Sequence, residues 1–399
     1  MKSFLKKIVS ITGNTIFFFR KKDVVRSEVK KILVISLYFR GDALMNTPAL
    51  RILNRIFPKA KTDVWIKSRS EGILDNSPHI NKTIVFDHFK TADYNDSNRP
   101  FLKEKINFIS SVKKENYDLC IDLTGKYSTA LFALLGGFKY SIGLNYNGLG
   151  FCYNKFVYTD TQHTTGHLAG KYAEVIKQGL ELSKEEFDEV SEKGNIRNEI
   201  YISEDSKNEI RKILSDNGIG YDDNIISIQP SAGWNAKEWS GEKYSQLISQ
   251  LPSGYKIVLI GSEQDAENNK SIIENSNAPE KCVTLSIPMK LSAALISLSD
   301  IFIGSDSVGL QIAGAAGITS VALFGPTNPG FSNPPGEIHK IVYNKLFCSS
   351  PDNEQYCTRD AGKTCPDFHC MKSIQVSDVL KQVKYLTESY TNKNYQIAE

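Results

Sequence analysis

Charge of one sign is scarcely in excess in this chain of 399 residues. Forty-eight Lys and Arg stand against 45 Asp and Glu, a net +3, which gives no argument for a nucleic-acid partner. Glycine and proline, 27 and 14, make up a tenth of the chain and exclude collagen-like and low-complexity classes. The N-terminal tip lacks a bilayer-spanning run. Its uncharged stretch, Ile8 to Phe19, has twelve residues, where a spanning helix needs about 20. No A-x-A-like cleavage site follows it, since Arg20-Lys21-Lys22 comes next. The expected compartment is therefore the reducing cytoplasm. What is present is a 41% hydrophobic, 23% charged composition, enough for a sizeable core. At ~150 residues per domain, the length predicts two domains with an appendage.

The net charge is unevenly placed. Residues 1–31 hold nine Lys or Arg against Asp23 and Glu28, so this tip is +7 and the rest of the chain −4. Phe4, Ile8, Ile11, Thr15 and Phe19 recur at helical spacing between basic flanks. That pattern fits an amphipathic helix lying on an anionic membrane surface. The alternative is an ordinary helix packed on the body or a frayed tail, because Gly13 and Asn14 weaken any helix.

Cysteine usage is uneven as well. Cys120, Cys152 and Cys282 sit in apolar settings and read as small buried hydrophobes. Cys348, Cys357, Cys365 and Cys370 fall close together without a C-x2-C pair. Free thiols in a loop are favoured there, and a structural zinc or iron is the minority reading.

Past the tip, short apolar runs alternate with helical patterns. Strands are expected at 31–37, 64–66, 83–86 and 118–123, and helices at 47–57 and 101–114. A charged stretch from Ser183 to Glu199 reads as a connector. The pattern then restarts, with strands at 225–228, 256–260, 300–304 and 320–324, a helix at 240–250 and a closing helix at 376–386. Apolar rather than alternating strands, in β-then-α order, predict parallel sheets covered on both faces. The expected division is a basic segment 1–31, a first Rossmann-like domain 32–182, a linker 183–200, a second such domain 201–375, and a helix and tail 376–399. The two doubly wound domains are expected to face a cleft.

Four constellations carry chemistry. Gly41-Asp42 ends the loop after the first strand, where open α/β sheets bind ligands. Asp42 could take a proton from an incoming hydroxyl there; capping the next helix is the alternative. Gln229-Pro230-Ser231-Ala232-Gly233-Trp234, followed by Lys237 between two tryptophans, reads as an anion loop ahead of a helix. It is not a Walker loop. Gly304-Ser305-Asp306-Ser307-Val308-Gly309-Leu310-Gln311 leads a strand into a helix of small residues, a diphosphate site at the helix mouth. Glu263 follows a strand and glycine, where a carboxylate can accept from ribose hydroxyls. Facing domains, a diphosphate cradle and an acidic residue opposite it are the logic of sugar transfer from a nucleotide sugar to a hydroxyl.

With these residues in place the chain resembles the ADP-heptose:lipopolysaccharide heptosyltransferases, glycosyltransferase family nine, of GT-B fold. The matching pieces are Gly41-Asp42 with Pro48-Ala49-Leu50, Ser231-Ala232-Gly233-Trp234 with Lys237 and Trp239, Asp306-Ser307 with Ala313, and Phe324-Gly325-Pro326-Thr327. They occur in family order. The resemblance implies an inverting transfer that requires no metal, with Asp42 as general base, Lys237 on phosphate and Glu263 on ribose. Asp306 and Ser307 match the donor-phosphate loop, with Ser231, Gly233, Gly309 and Gln311 beside them. It implies ADP-heptose as donor and a lipid-linked or polysaccharide acceptor, at the cytoplasmic face of the inner membrane. The family usually has a glycine and a histidine where this chain has Val308 and Gln311. The alternatives are another nucleotide sugar, a sugar-nucleotide epimerase, or an inactive nucleotide-sugar binder.

Overall fold

The computed structural model describes residues 21–87, 102–145, 148–157, 166–349, 357, 365 and 367–390. The helix expected at Phe4 to Phe19 and the tail beyond 390 lie outside the described residues. The chain divides into two compact units. One takes 1–161 and 168–201, the other 162–167 and 202–399.

The first unit runs β1 (Lys31–Ile35), α1 (Arg40–Met45), α2 (Thr47–Ile56), β2 (Lys61–Ile66), β3 (Lys82–Val85), α3 (Leu102–Lys114), β4 (Leu119–Asp122), α4 (Tyr127–Leu135), β5 (Tyr140–Leu144), β6 (Lys155–Val157), α5 (Leu168–Gly179) and α6 (Lys184–Val190). Its six strands order as β3-β2-β1-β4-β5-β6, and every neighbouring pair is parallel. β1 is central because Ile32 to Ile35 offers no polar face, and all four residues are fully buried. Ile35 stands opposite Trp65 on one side and Asp122 on the other. The loops after β1, β2 and β4 therefore leave the sheet at one edge. On one face Trp65 packs against Phe108 of α3 and Phe132 of α4, each at 4.7 Å between ring centres. The same layer holds Leu33, Ile35, Val112, Cys120 and Cys152.

The stretch 183–199, expected as a connector, is part of this unit and carries α6. Ser183 caps it, accepting from the Glu186 N–H while Glu186 accepts from the Ser183 N–H. Its end is pinned to α2. Arg51, only 5% exposed, pairs with Glu199 and donates to the Asn195 carbonyl. Glu199 also faces His79 Nε2 at 3.3 Å and accepts from the Tyr201 hydroxyl at 3.0 Å. Burial, the largest single influence on this carboxyl, raises its pKa. His79, Arg51 and Tyr201 together outweigh it and bring the value down to about 2. A carboxyl lowered on folding stabilises above its unfolded value and loses that contribution as pH falls. Relative to the ordinary 4.5, the contribution is on the order of 3 kcal/mol. Glu199→Gln is therefore expected to destabilise at neutral pH by about that amount, with the difference from wild type closing between about pH 4.5 and 2. Denaturant unfolding as a function of pH checks it.

The second unit runs α7 (Glu204–Asp216), β7 (Asn224–Gln229), α8 (Gly241–Gln250), β8 (Tyr255–Gly261), α9 (Ala266–Glu274), β9 (Cys282–Ser286), α10 (Met289–Ser297), β10 (Ile301–Ser305), α11 (Val308–Ala316), β11 (Thr319–Phe324), α12 (Pro329–Ser332), β12 (His339–Tyr343), α13 (His369–Ser373) and α14 (Val376–Tyr390). The strand order is β12-β11-β10-β7-β8-β9, again all parallel. The core beneath α8 and α14 joins Ile226, Ile228, Tyr244, Leu247, Ile257, Val379 and Val383. Gly304 on β10 stands opposite Gln229, and Ser305 opposite Leu323. The loops after β7, β10 and β11 thus share one edge.

Candidate functional site

That shared edge brings together residues far apart in sequence. Lys237 lies in the turn Asn235–Lys237, which precedes Ser240, the cap residue of α8. Trp239 anchors the turn. It is 4% exposed, donates its indole N–H to the Ile374 carbonyl at 3.1 Å and meets Tyr244 edge-on at 5.0 Å. The Lys237 ammonium reaches across to the end of β10. Its Nζ lies 2.7 Å from Asp306 Oδ2 and 3.0 Å from the Asp306 carbonyl, and 5.6 Å over the Trp234 ring. Gly233, at the bend of the same loop, holds φ +65°, a left-handed conformation that favours glycine, and open space lies where a Cβ would stand.

Asp306 is held from its other side. Its Oδ1 accepts from the Ser332 hydroxyl at 2.9 Å. The Ser332 carbonyl in turn accepts from Gln311 Nε2 at 2.6 Å. Gln311 is 2% exposed, so its amide supports α12 from within the unit. Ser307 stands at the mouth of α11 and donates to Gln229 Oε1 at 3.2 Å. Gly309 leaves room for this arrangement: a Cβ there would lie 2.2 Å from Gln229 Oε1 and 2.7 Å from the Phe302 ring. The edge therefore offers a lysine ammonium, a helix N-terminus and a left-handed glycine loop within one unit. All three favour a multiply charged anion. Ser231 is half-buried in the glycine loop; Glu263 is exposed in the turn after β8.

The contacts of two contributors here carried no sequence signal. Ser332 belongs to no motif and lies 26 residues from the carboxylate that it contacts. Gln229 opens the anion loop, but its contact with Ser307 spans 78 residues.

In the first unit, Asp42 sits in the first turn of α1, and its Oδ2 accepts from the Phe39 N–H at 3.2 Å. It therefore helps to fix the start of that helix. Asn46 ties the segment down by donating to the Asp42 carbonyl at 2.9 Å and to Ser36 Oγ at 2.7 Å. Cations gather at the same edge. Burial lowers the pKa of Arg40, and neighbouring Arg69 adds to the effect. Burial likewise lowers the pKa of Lys126, while the Asp42 charge acts in the opposite sense. Arg69 lies 4.9 Å over the Phe39 ring, and Lys126 5.5 Å over that of Tyr38. Asp122, fully buried at the end of β4, holds the Lys126 loop by accepting from the Thr124 and Gly125 N–H groups and the Tyr153 hydroxyl. Burial raises the Asp122 pKa against those bonds.

Cys348, Cys357, Cys365 and Cys370 line one cavity of about 270 Å³ with Asp367 and His369. Burial is the main cause that pushes the Cys370 thiol up to about 11. Among the described residues no group of three or more Cys, His, Asp or Glu converges closely enough to hold a metal ion. Cys370 and Met371 instead pack against Gly325, where a Cβ would lie 2.5 Å from the Met371 sulfur.

Two six-stranded parallel sheets, one of them ending in an anion-favouring edge, make the build of a GT-B glycosyltransferase. A family profile, glycosyltransferase family 9 (heptosyltransferase), matches residues 106–361. The chain belongs to that family and is a glycosyltransferase. It is 26% identical to lipopolysaccharide heptosyltransferase 3 of Escherichia coli K12 over 303 residues, which cover 74% of this chain and 83% of that one. Two solved structures share the fold. E. coli ADP-heptose lps heptosyltransferase II superposes with a TM-score of 0.68 at 21% identity, over 91% of this chain and 100% of the other. E. coli heptosyltransferase WaaC with ADP gives 0.65 at 17% identity, over 89% and 99%. Among the described residues no helix is long and apolar enough to cross a membrane.

Proposed function

We propose that this glycosyltransferase moves a heptose from ADP-heptose onto a hydroxyl of a lipopolysaccharide-core or other lipid-linked glycan, with inversion at the anomeric carbon. The observation that carries the reading is Lys237 held by Asp306 beside the mouth of α11. It supports a diphosphate donor, and the ADP named with the WaaC structure supports adenosine as its nucleoside.

The acceptor oxygen attacks the anomeric carbon from the side opposite the diphosphate. The new carbon–oxygen bond forms as the bond to the diphosphate breaks. Asp42 takes the hydroxyl proton, and ADP leaves with the electron pair. Lys237, Ser307 and the α11 N-terminus stabilise the charge that develops on ADP. Ser231 and Gly233 let the loop approach the phosphates, Gly309 and Gln311 support that edge, and Glu263 accepts from the ribose. The lysine and helix dipole supply the positive charge that the leaving group needs, so the transfer requires no metal. The enzyme works on the cytoplasmic face of the inner membrane, where a lipid-linked acceptor lies. Release of ADP from ADP-heptose tests the reading: it is expected to require a glycan acceptor and to yield the heptosylated product.

A further inference from the structure

α4 carries no charged residue from Tyr127 to Leu135. Its inner side, with Ala130, Phe132 and Ala133, is in the core at 1% exposure or less. Its outer side is apolar too. Tyr127, Leu131 and Leu135, each four residues apart, are 51%, 48% and 53% exposed. Four-residue spacing puts them on one line along the helix. The neighbouring helix α3, packed beside α4 through Phe108 and Phe132 at 5.8 Å, adds Leu102 and Ile106 at 74% and 56%. Single exposed apolar residues need no explanation, but three in one line on a helix without charge do.

We propose that this outer face of α4 and α3 rests on an anionic lipid bilayer. Three observations favour lipid over a protein occupant. Lysines bracket the stripe. Lys126 precedes its first residue, and Lys113 packs 3.5 Å from where a Gly137 side chain would begin, two residues past its end. Apolar faces edged with lysine match an anionic headgroup layer. The basic tip touches the body shortly after the stripe in sequence: Lys22 lies 4.9 Å over the ring of Tyr140, the first residue of β5 and five residues beyond Leu135. Residues 1–20 hold four Lys or Arg and no acid. Tip and stripe edge therefore share a sign of charge, and a negative surface complements both. Finally, Lys126 lies 5.5 Å over the ring of Tyr38, in the segment between β1 and Asp42. The stripe thus begins at the edge where the first unit gathers Asp42 and its cations. The proposal deepens the reading of a lipid-linked acceptor, but vesicle binding needs neither donor nor turnover, so the two fail separately.

The test is co-sedimentation of the full chain with phosphatidylglycerol–phosphatidylcholine vesicles and with phosphatidylcholine alone. Wild type is expected to bind the anionic vesicles selectively. Leu131→Glu with Leu135→Glu is expected to weaken that binding by roughly tenfold or more, with the melting temperature and turnover on a soluble acceptor fragment unchanged. Ile106→Glu, on the separate helix α3, gives the same direction of effect if the double variant does not fold. Binding of these variants equal to wild type overturns the proposal. So does equal binding to both vesicle types, no binding at all, or a wild-type dimer that the substitutions dissociate. A chain lacking residues 1–20 is expected to keep a preference for anionic vesicles, and loss of all binding in that chain alone also contradicts it.

Discussion

Asp42→Asn is expected to lower turnover by about 10²–10⁴-fold, the range for loss of a general base. Donor affinity is expected to stay within a few-fold of wild type. The substitution separates the two roles open to this residue. Asp42 accepts from the Phe39 N–H in the first turn of α1. An asparagine oxygen accepts the same bond, so a residue that only fixes the helix start tolerates the change. An amide cannot take up a proton at neutral pH, so a base does not. Steady-state kinetics beside a melting curve read out both roles. Near-wild-type turnover makes Asp42 a helix-start residue and moves the base elsewhere.

Lys237→Ala is expected to cost roughly 10²–10³-fold in kcat/KM, as when one preorganised stabiliser of developing charge is removed. It also leaves the Asp306 carboxylate without its ammonium, at 11% side-chain exposure. An uncompensated carboxylate there repels a diphosphate and destabilises the fold. The double variant Lys237→Ala with Asp306→Ala separates these effects. It is expected to recover most of the lost thermal stability and little of the lost activity. Recovery of both makes the ion pair a structural strut and removes Lys237 from the chemistry.

Much of the architecture was legible because central strands of parallel sheets are apolar on both faces. β1, β7, β10 and β11 stand out as such runs, and all lie near the middle of their sheets. The edge strand β3 shows in the sequence as well, but β5, β6, β9 and β12 do not. β5 mixes Ser141 and Gly143 into its run, and Gly143 is there to admit the Tyr153 ring, which lies 2.2 Å from where a Cβ would stand. β12, at an edge, is only partly buried and carries His339 and Lys340. The stretch 183–199 was misleading for a different reason. Its charges resemble a solvated connector, whereas Arg51 and Arg55, more than 130 residues upstream, bind it back to α2.

The anion-favouring edge was partly legible. Lys237, Asp306 and Ser307 each belong to a short motif at a strand end, and parallel register brings those ends together. What holds them was not legible. Ser332, Gln311 and Gln229 act through isolated hydrogen bonds between separate elements, α12, α11 and β7, and such contacts leave no periodicity in the sequence. The cations beside Asp42 come from the ends of three strands adjacent in the sheet but distant in the chain. Their grouping exists only in the folded unit.

The most direct measurement follows ADP-heptose incubated with purified full-length protein, with and without a lipopolysaccharide-core fragment that lacks the added heptose. Mass spectrometry identifies the sugar products, and a coupled assay follows ADP. The account predicts ADP release only when the fragment is present, matched one for one by fragment bearing an additional heptose of inverted anomeric configuration. Donor consumed at equal rates without the fragment, donor bound but never turned over, or turnover confined to a uridine or guanosine diphosphate sugar would contradict it.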